Sequence, residues 1–123
     1  MTPLRTTAFL ATTDADRAKA FYVDALGAEF IDDTPFSLLL RIGGILLRIQ
    51  KVETVHAPPY TALGWQIDDI ESTVETMASR GGTFERFEGI DQDAAGIWTA
   101  PDGAKVAWFR DPDGQLLSLD QQP

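Results

Sequence analysis

Near the end of the chain runs the sequence Ala107-Trp108-Phe109-Arg110-Asp111-Pro112-Asp113-Gly114-Gln115-Leu116-Leu117-Ser118-Leu119. It predicts two strands joined by a tight turn, because Asp and Pro favour the first turn positions and Gly114 can adopt the positive φ that closes the turn. Residues of the second strand alternate, so we expect Leu117 and Leu119 on one face and Ser118 on the other.

Length and composition predict one globular domain spanning residues 1–123. The chain is 44% hydrophobic and 24% charged, which is typical of a protein that buries a core. It has no cysteine, which excludes disulfides, thiolate nucleophiles and cysteine zinc sites. Neither a signal-peptide pattern nor an apolar run long enough to span a membrane is present, so we expect a cytoplasmic protein with no membrane partner.

The net charge of −9 bears on the choice of partner. An acidic surface repels phosphate backbones, so we expect no nucleic acid partner. The same charge would attract a cationic ligand, but acidity that only keeps the protein soluble is the explanation we favour. The partner we expect is a small molecule.

An internal repeat predicts the architecture. Thirteen positions separate Asp14 from Gly27, and the same number separates Asp68 from Gly81, each pair marking the start and the end of an apolar helical stripe. The repeat predicts two β-α-β-β-β modules, over about 4–52 and 60–120, joined by a linker that contains Pro58-Pro59. We therefore expect an α+β fold in which each helix covers one face of a curved mixed sheet and the other faces line a cup.

The strands expected from alternation and turn residues include a clear hairpin in the first module. Its strands are 36–42 and 45–50, joined by Gly43-Gly44, and their alternation places Arg41 and Arg48 on the face away from the helix. The other predicted strands are 4–12, 28–33, 60–67, 83–87, 97–100 and 104–110, besides the strand that follows Gly114.

With these elements the chain resembles the vicinal oxygen chelate superfamily, which contains glyoxalase I, extradiol dioxygenases, fosfomycin-resistance enzymes and bleomycin-resistance proteins. The resemblance is carried by Asp16–Gly27, with its Phe-Tyr-x-x-x-Leu-Gly pattern, by Asp68–Gly82, and by Phe109–Gly114, with its Asp-Pro-Asp-Gly turn. It covers nearly the whole chain. It implies paired β-α-β-β-β modules in a glyoxalase-like fold, and often a homodimer.

The resemblance also implies where a metal would be held. Metal-dependent members bind a divalent ion through His and Glu on the first and last strands of each module, leaving positions open for substrate oxygens. The matching positions here are Thr7, Arg48, Ala62 and Ser118, and none is His or a carboxylate. The only histidine, His56, lies in the linker. We therefore expect no metal and no cofactor, with a carboxylate site at Asp91–Asp93 as a remote alternative to a simple turn.

Strand alternation predicts a ligand-binding surface that is both aromatic and polar, as ligand pockets are. Its residues are Thr7, Phe9, Arg41, Arg48, Gln66, Trp98, Phe109 and Ser118. A bulge at either of the last two turns would place Trp108 there instead of Phe109. The arginines could clamp a carboxylate or pair with nearby acids, and the aromatic residues could equally fill a seam between modules or subunits. Trp65 is out of phase and belongs to the core.

These observations favour a metal-free small-molecule binding protein that resembles the bleomycin-resistance branch. The alternative is a glyoxalase-like enzyme, a metal-dependent lyase, isomerase or dioxygenase with atypical site residues, although no nucleophile–base pair is visible to support it. A ligand-sensing accessory subunit is a third possibility. The catalytic residues and the identity of the ligand do not follow from the sequence.

Overall fold

In the computed structural model, which describes all 123 residues, the chain divides into two units. The first comprises residues 1–57 together with 111–115, and the second comprises residues 58–110 together with 116–123. Each contains a four-stranded mixed sheet and a helix, which is the α+β composition predicted from the repeat. None of the helices has the length and apolar character that a membrane-spanning segment needs.

The first unit follows the order β-α-β-β-β. Asp14 caps the N-terminus of the helix by accepting the N–H of Arg17 at 3.1 Å, and Gly27 after its end has φ of 79°. The strands lie in the order β1-β4-β3-β2, with β1 parallel to β4 and the other pairs antiparallel. The elements are β1 (Thr7–Thr12), α1 (Ala15–Lys19, continued by π-helical turns over Ala20–Ala25), β2 (Glu29–Asp33), β3 (Ser37–Ile42) and β4 (Ile45–Lys51).

The two faces of the first sheet separate as the alternation predicted. Its covered face carries four side chains with no exposed surface: Leu38, Leu40, Leu47 and Ile49. The α1 helix lies on this face, because Lys19 Nζ is 4.0 Å from the centre of the Phe30 ring and Phe30 pairs with Leu40. Burial of this apolar face against the helix is the main force that holds the unit together.

The second unit repeats this order of strands, β5-β8-β7-β6. Asp69 caps its helix by accepting the N–H of Ser72 at 3.0 Å, and the side chain of Gln121 accepts the N–H of Ile70 at 2.8 Å. Gln121 shares a face with Leu117 and Leu119, so the helix covers that face. The elements are β5 (Leu63–Gln66), α2 (Ile70–Ser79), β6 (Trp98–Thr99), β7 (Lys105–Arg110) and β8 (Leu116–Gln121).

Several predicted elements differ from the structure. The strand predicted over 4–12 begins at Thr7, and the strand predicted over 97–100 is limited to Trp98–Thr99. The predicted strand 83–87 does not form, and its one backbone bond to β7 joins Glu85 N–H to the Trp108 carbonyl at 2.8 Å. The side chain of Gln92 instead bonds to the N–H of Phe87 and the carbonyl of Glu85, so it occupies groups that a strand partner would use. The strand predicted over 60–67 is limited to Leu63–Gln66, and the first helix widens to π-helical turns after Lys19.

Candidate functional site

The uncovered face of the first sheet, the one turned away from α1, brings together the predicted residues of that unit. Phe9 on β1 pairs with Arg48 on β4, while Thr7 pairs with Leu46, which in turn pairs with Arg41. All four predicted residues therefore share one face. Phe9 is 56% exposed, which is a large apolar surface for a residue in the middle of a strand.

The two arginines on this face differ in their partners. Arg41 forms an ion pair with Glu29, with 3.2 Å between Nη1 and Oε2. Arg48 is half-buried and forms neither an ion pair nor a side-chain hydrogen bond. The salt-bridge interpretation of the arginines thus holds for Arg41, and Arg48 remains available to an external anion.

The uncovered face of the second sheet carries an aromatic cluster, here called the aromatic surface and defined as Phe87, Trp98 and Trp108. The Trp98 and Trp108 rings lie 6.3 Å apart and 32° from parallel, and Phe87 meets Trp108 edge-on at 5.5 Å. All three side chains are half-buried. The arrangement leaves a hydrophobic surface of the kind that binds planar ligands.

Polar groups lie directly beside the aromatic surface. Trp108 pairs with Ser118, so the serine lies next to the tryptophan on the same face, and Gly64 lies on the far side of Ser118. Gln66 and Trp98 fall on this face as well, as predicted. Binding by Thr7, Phe9, Arg41, Arg48, Gln66, Trp98 and Ser118 stays a prediction, but the strand pairing places each on the face where it was expected.

Phe109 is the exception, and its predicted place on the Ser118 face is wrong. Phe109 pairs with Leu117, is only 3% exposed and packs against Phe84, with ring centres 5.8 Å apart. The reason is the length of the turn. Arg110 pairs with Leu116, so the loop has five residues, 111–115, and the extra residue moves Trp108 to the uncovered face. Trp65 pairs with Leu119 and lies on the covered face, as expected.

The Asp-Pro-Asp-Gly turn has a structural role that sequence reasoning missed. Asp111 is 6% exposed, and its Oδ2 accepts the Tyr22 hydroxyl and the Gln115 amide, both at 2.6 Å. Its Oδ1 accepts the N–H groups of Asp113 and Gln115. Burial, and next the charge of Asp111, raise the pKa of the Tyr22 phenol well above its usual value. The signal was present in the sequence, because both halves of this contact belong to the motifs quoted for the resemblance.

The metal ion that the resemblance implies does not fit the residues present. Ser118 is 9% exposed, and any side chain at Gly64 would collide with Ser118 Oγ, so the serine hydroxyl already fills the space between β5 and β8. Thr7 and Arg48 offer a hydroxyl and a cation. No group of three or more His, Cys, Asp or Glu side chains is placed to hold a metal. Asp93 stabilises a turn, because its Oδ1 accepts the N–H groups of Ala95 and Ile97.

Comparison with known proteins gives one family and many similar folds. A family model described as the Glyoxalase/Bleomycin resistance protein/Dioxygenase superfamily matches residues 5–119. No curated protein matches the sequence significantly.

Three solved structures illustrate the likeness in fold. The fosfomycin resistance protein FosX from Listeria monocytogenes is 17% identical, with a TM-score of 0.79 over 100% of this chain and 96% of its own. A glyoxalase/bleomycin resistance protein/dioxygenase superfamily member from Sphaerobacter thermophilus is 22% identical, with a TM-score of 0.75 over 98% of each chain. Lactoylglutathione lyase from Agrobacterium tumefaciens is 20% identical, with a TM-score of 0.70 over 97% of this chain and 94% of its own.

Proposed function

The chain belongs to the Glyoxalase/Bleomycin resistance protein/Dioxygenase superfamily, and on that basis we propose that it is a metal-free small-molecule binding protein resembling the bleomycin-resistance branch. The observation that carries this proposal is the aromatic surface of Phe87, Trp98 and Trp108 beside Ser118. It occurs on a strand face where metal-dependent relatives would carry a chelating carboxylate.

The aromatic surface has the physical properties of a stacking platform. Two indole rings inclined by 32° with 6.3 Å between their centres can contact one extended planar molecule. Phe87 braces Trp108 from its edge, so less side-chain freedom is lost when a ligand binds. Ser118 and Gln66 lie on the same face and can supply hydrogen bonds that fix the orientation of the ligand.

The donor set supports binding in preference to chelation. Divalent ions of the kind used in this superfamily require imidazole or carboxylate ligands, and the matching positions carry Thr7, Arg48, Ala62 and Ser118. A cationic guanidinium at one of these positions would repel a metal ion. The chemistry of these side chains therefore suits the recognition of an organic molecule.

Titration with 2-naphthamide, a neutral planar probe, tests the proposal by calorimetry. We expect saturable binding, and an affinity about fivefold weaker for Trp108→Ala, because loss of one stacked ring costs about 1 kcal/mol. The matched control is Tyr60→Ala, since Tyr60 is an aromatic residue of the same unit that is 69% exposed and lies outside the aromatic surface. Equal affinities for both variants and the parent protein would contradict the proposal.

Elemental analysis addresses the metal-free part of the proposal. Protein incubated with Mn²⁺, Fe²⁺, Ni²⁺ or Zn²⁺ and then desalted is expected to retain less than a stoichiometric amount of each ion, and EDTA is expected to leave probe affinity unchanged. A stoichiometric ion whose removal abolishes binding would instead support the glyoxalase-like enzyme.

The proposal includes a homodimer in the cytoplasm with no nucleic acid or membrane partner. The dimer follows from what the family resemblance implies, and the net charge of −9 opposes association with nucleic acid. Light scattering of the purified chain gives the mass that tests the dimer.

A further inference from the structure

Arg48 is an unpaired cation in a chain that has 19 acidic residues. Most of the other cations have partners: Arg17, Arg41, Lys51, Lys105 and Arg110 form ion pairs, Arg86 donates to two carbonyls, and Lys19 lies over the Phe30 ring. Arg5 and Arg80 also lack ion pairs, but both are exposed and lie outside the strands. Arg48 alone combines partial burial, a central strand position and the lack of a partner.

The two residues that pair with Arg48 in the sheet offer its guanidinium no hydrogen-bond acceptor. Directly beside it in the sheet are Phe9 on β1 and Leu39 on β3, and neither can accept a hydrogen bond from a guanidinium. A half-buried cation loses part of its hydration, and an anion that binds it restores favourable interactions for the charge. The nearby Arg41 shows that this face can pair an arginine internally, since Glu29 neutralises it.

We propose that Arg48 anchors the carboxylate of an organic monoanion whose apolar body lies against Phe9 and Leu39. The planar guanidinium matches a carboxylate with two parallel hydrogen bonds, and exposed Phe9 offers a ring for stacking. The net charge of −9 disfavours ligands of higher negative charge, because long-range repulsion grows with ligand charge. This inference rests on the proposed small-molecule function and names the class of ligand that the uncovered face of the first sheet would take.

The test compares 2-naphthoate, its neutral analogue 2-naphthamide and 2-naphthyl phosphate by calorimetry. We expect the parent protein to bind naphthoate at least about tenfold more tightly than the other two probes, consistent with one charge-assisted interaction. In Arg48→Gln the preference for naphthoate over naphthamide is expected to vanish. Arg48→Lys is expected to keep a smaller preference, because an ammonium is a point charge without the planar fork.

The matched control is Arg80→Gln, which removes an exposed cation that has no ion pair and is expected to leave the preference unchanged. Urea unfolding of Arg48→Gln confirms that the variant is folded. Equal binding of naphthoate and naphthamide by the parent protein, or an unchanged preference in Arg48→Gln, overturns this inference while leaving the proposed function standing if naphthamide still depends on Trp108. Preference for the phosphate ester overturns the carboxylate assignment. Failure of all three probes to bind overturns both proposals.

Discussion

At the scale of single residues, the turn between β7 and β8 is organised by one buried carboxylate. Asp111 receives hydrogen bonds from the Tyr22 hydroxyl, the Gln115 side chain and two backbone N–H groups. A carboxylate that is only 6% exposed remains tolerable when several donors replace its lost hydration. The Gln115 amide also bonds to both the N–H and the carbonyl of Ala11, so it ties this turn to the edge of β1.

Replacing Tyr22 by phenylalanine is expected to destabilise the protein. The substitution removes a 2.6 Å hydrogen bond to Asp111 and leaves a buried carboxylate with one donor fewer, which costs about 1–3 kcal/mol. Urea unfolding monitored by circular dichroism measures the change. Tyr60→Phe is the control, because Tyr60 is 69% exposed and its loss of a hydroxyl is expected to change stability negligibly. Similar unfolding midpoints for the two variants would show that the Tyr22–Asp111 bond contributes little.

The same residue is expected to make stability fall at alkaline pH. Burial first, and Asp111 second, raise the pKa of Tyr22, so the folded protein keeps this proton at a pH of about 10, where an unfolded tyrosine releases it. Above that pH the folded state binds more protons than the unfolded state, and stability decreases as pH rises. The stability difference between the parent protein and Tyr22→Phe is therefore expected to be constant up to about pH 9 and to shrink as the pH rises above about 10. A constant difference would contradict this pKa shift.

At the scale of elements, alternation predicts the faces of a hairpin when the turn is short and fixed. Gly43-Gly44 allowed only one register for β3 and β4, so the faces that carry Arg41 and Arg48 were predicted correctly. In the last hairpin the loop length decides the parity, and a four-residue loop and a five-residue loop are both compatible with Asp-Pro-Asp-Gly. The structure has the longer loop because Gln115 is held by Asp111 and Ala11 and does not enter β8.

The corrected assignment of faces, with Phe109 in the core and Trp108 on the uncovered face, predicts different effects for the two substitutions. Phe109→Ala empties a core position that is 3% exposed, so we expect a loss of about 3–5 kcal/mol in the free energy of unfolding. Trp108→Ala removes a half-buried ring from the uncovered face, so we expect a smaller loss of stability but weaker binding of 2-naphthamide. Urea unfolding and calorimetry of both variants provide the comparison. A larger loss of stability for Trp108→Ala than for Phe109→Ala would restore the original assignment of the faces.

At the scale of the whole molecule, the architecture was predicted from the repeat of capped helices and terminating glycines. The same pattern occurs in both halves of the chain, so each half could be assigned the same order of elements. Both sheets have the same strand order, although the predicted strand 83–87 is absent and β6 takes the edge position. The candidate site was less predictable. Alternation correctly placed Arg41 and Arg48 on one face. Whether either arginine forms an ion pair depends on distances between side chains on neighbouring strands, such as the 3.2 Å between Arg41 and Glu29, and these distances cannot be derived from the sequence.

The charge of the whole molecule leads to a last prediction, on the salt dependence of stability. The chain has 19 acidic and 10 basic residues, and its five ion pairs neutralise only a minority of the carboxylates. Repulsion among the remaining carboxylates is greater in the compact state than in the unfolded chain, so screening it favours folding. We therefore expect the urea midpoint near neutral pH to rise when NaCl is increased from about 10 mM to about 150 mM, a range in which the Debye length falls about fourfold.

The control for this salt effect is the same measurement near the sequence pI of about 4.3, where the net charge and hence the overall repulsion largely vanish. There the midpoint is expected to change little with NaCl, or to fall as the ion pairs are screened. A midpoint that decreases with NaCl at neutral pH would mean that local attractions, such as Arg17 with Asp113 at 2.9 Å, outweigh the excess of negative charge. Stability would then be governed by a few specific pairs, and the acidic surplus would act on solubility and on the approach of ligands.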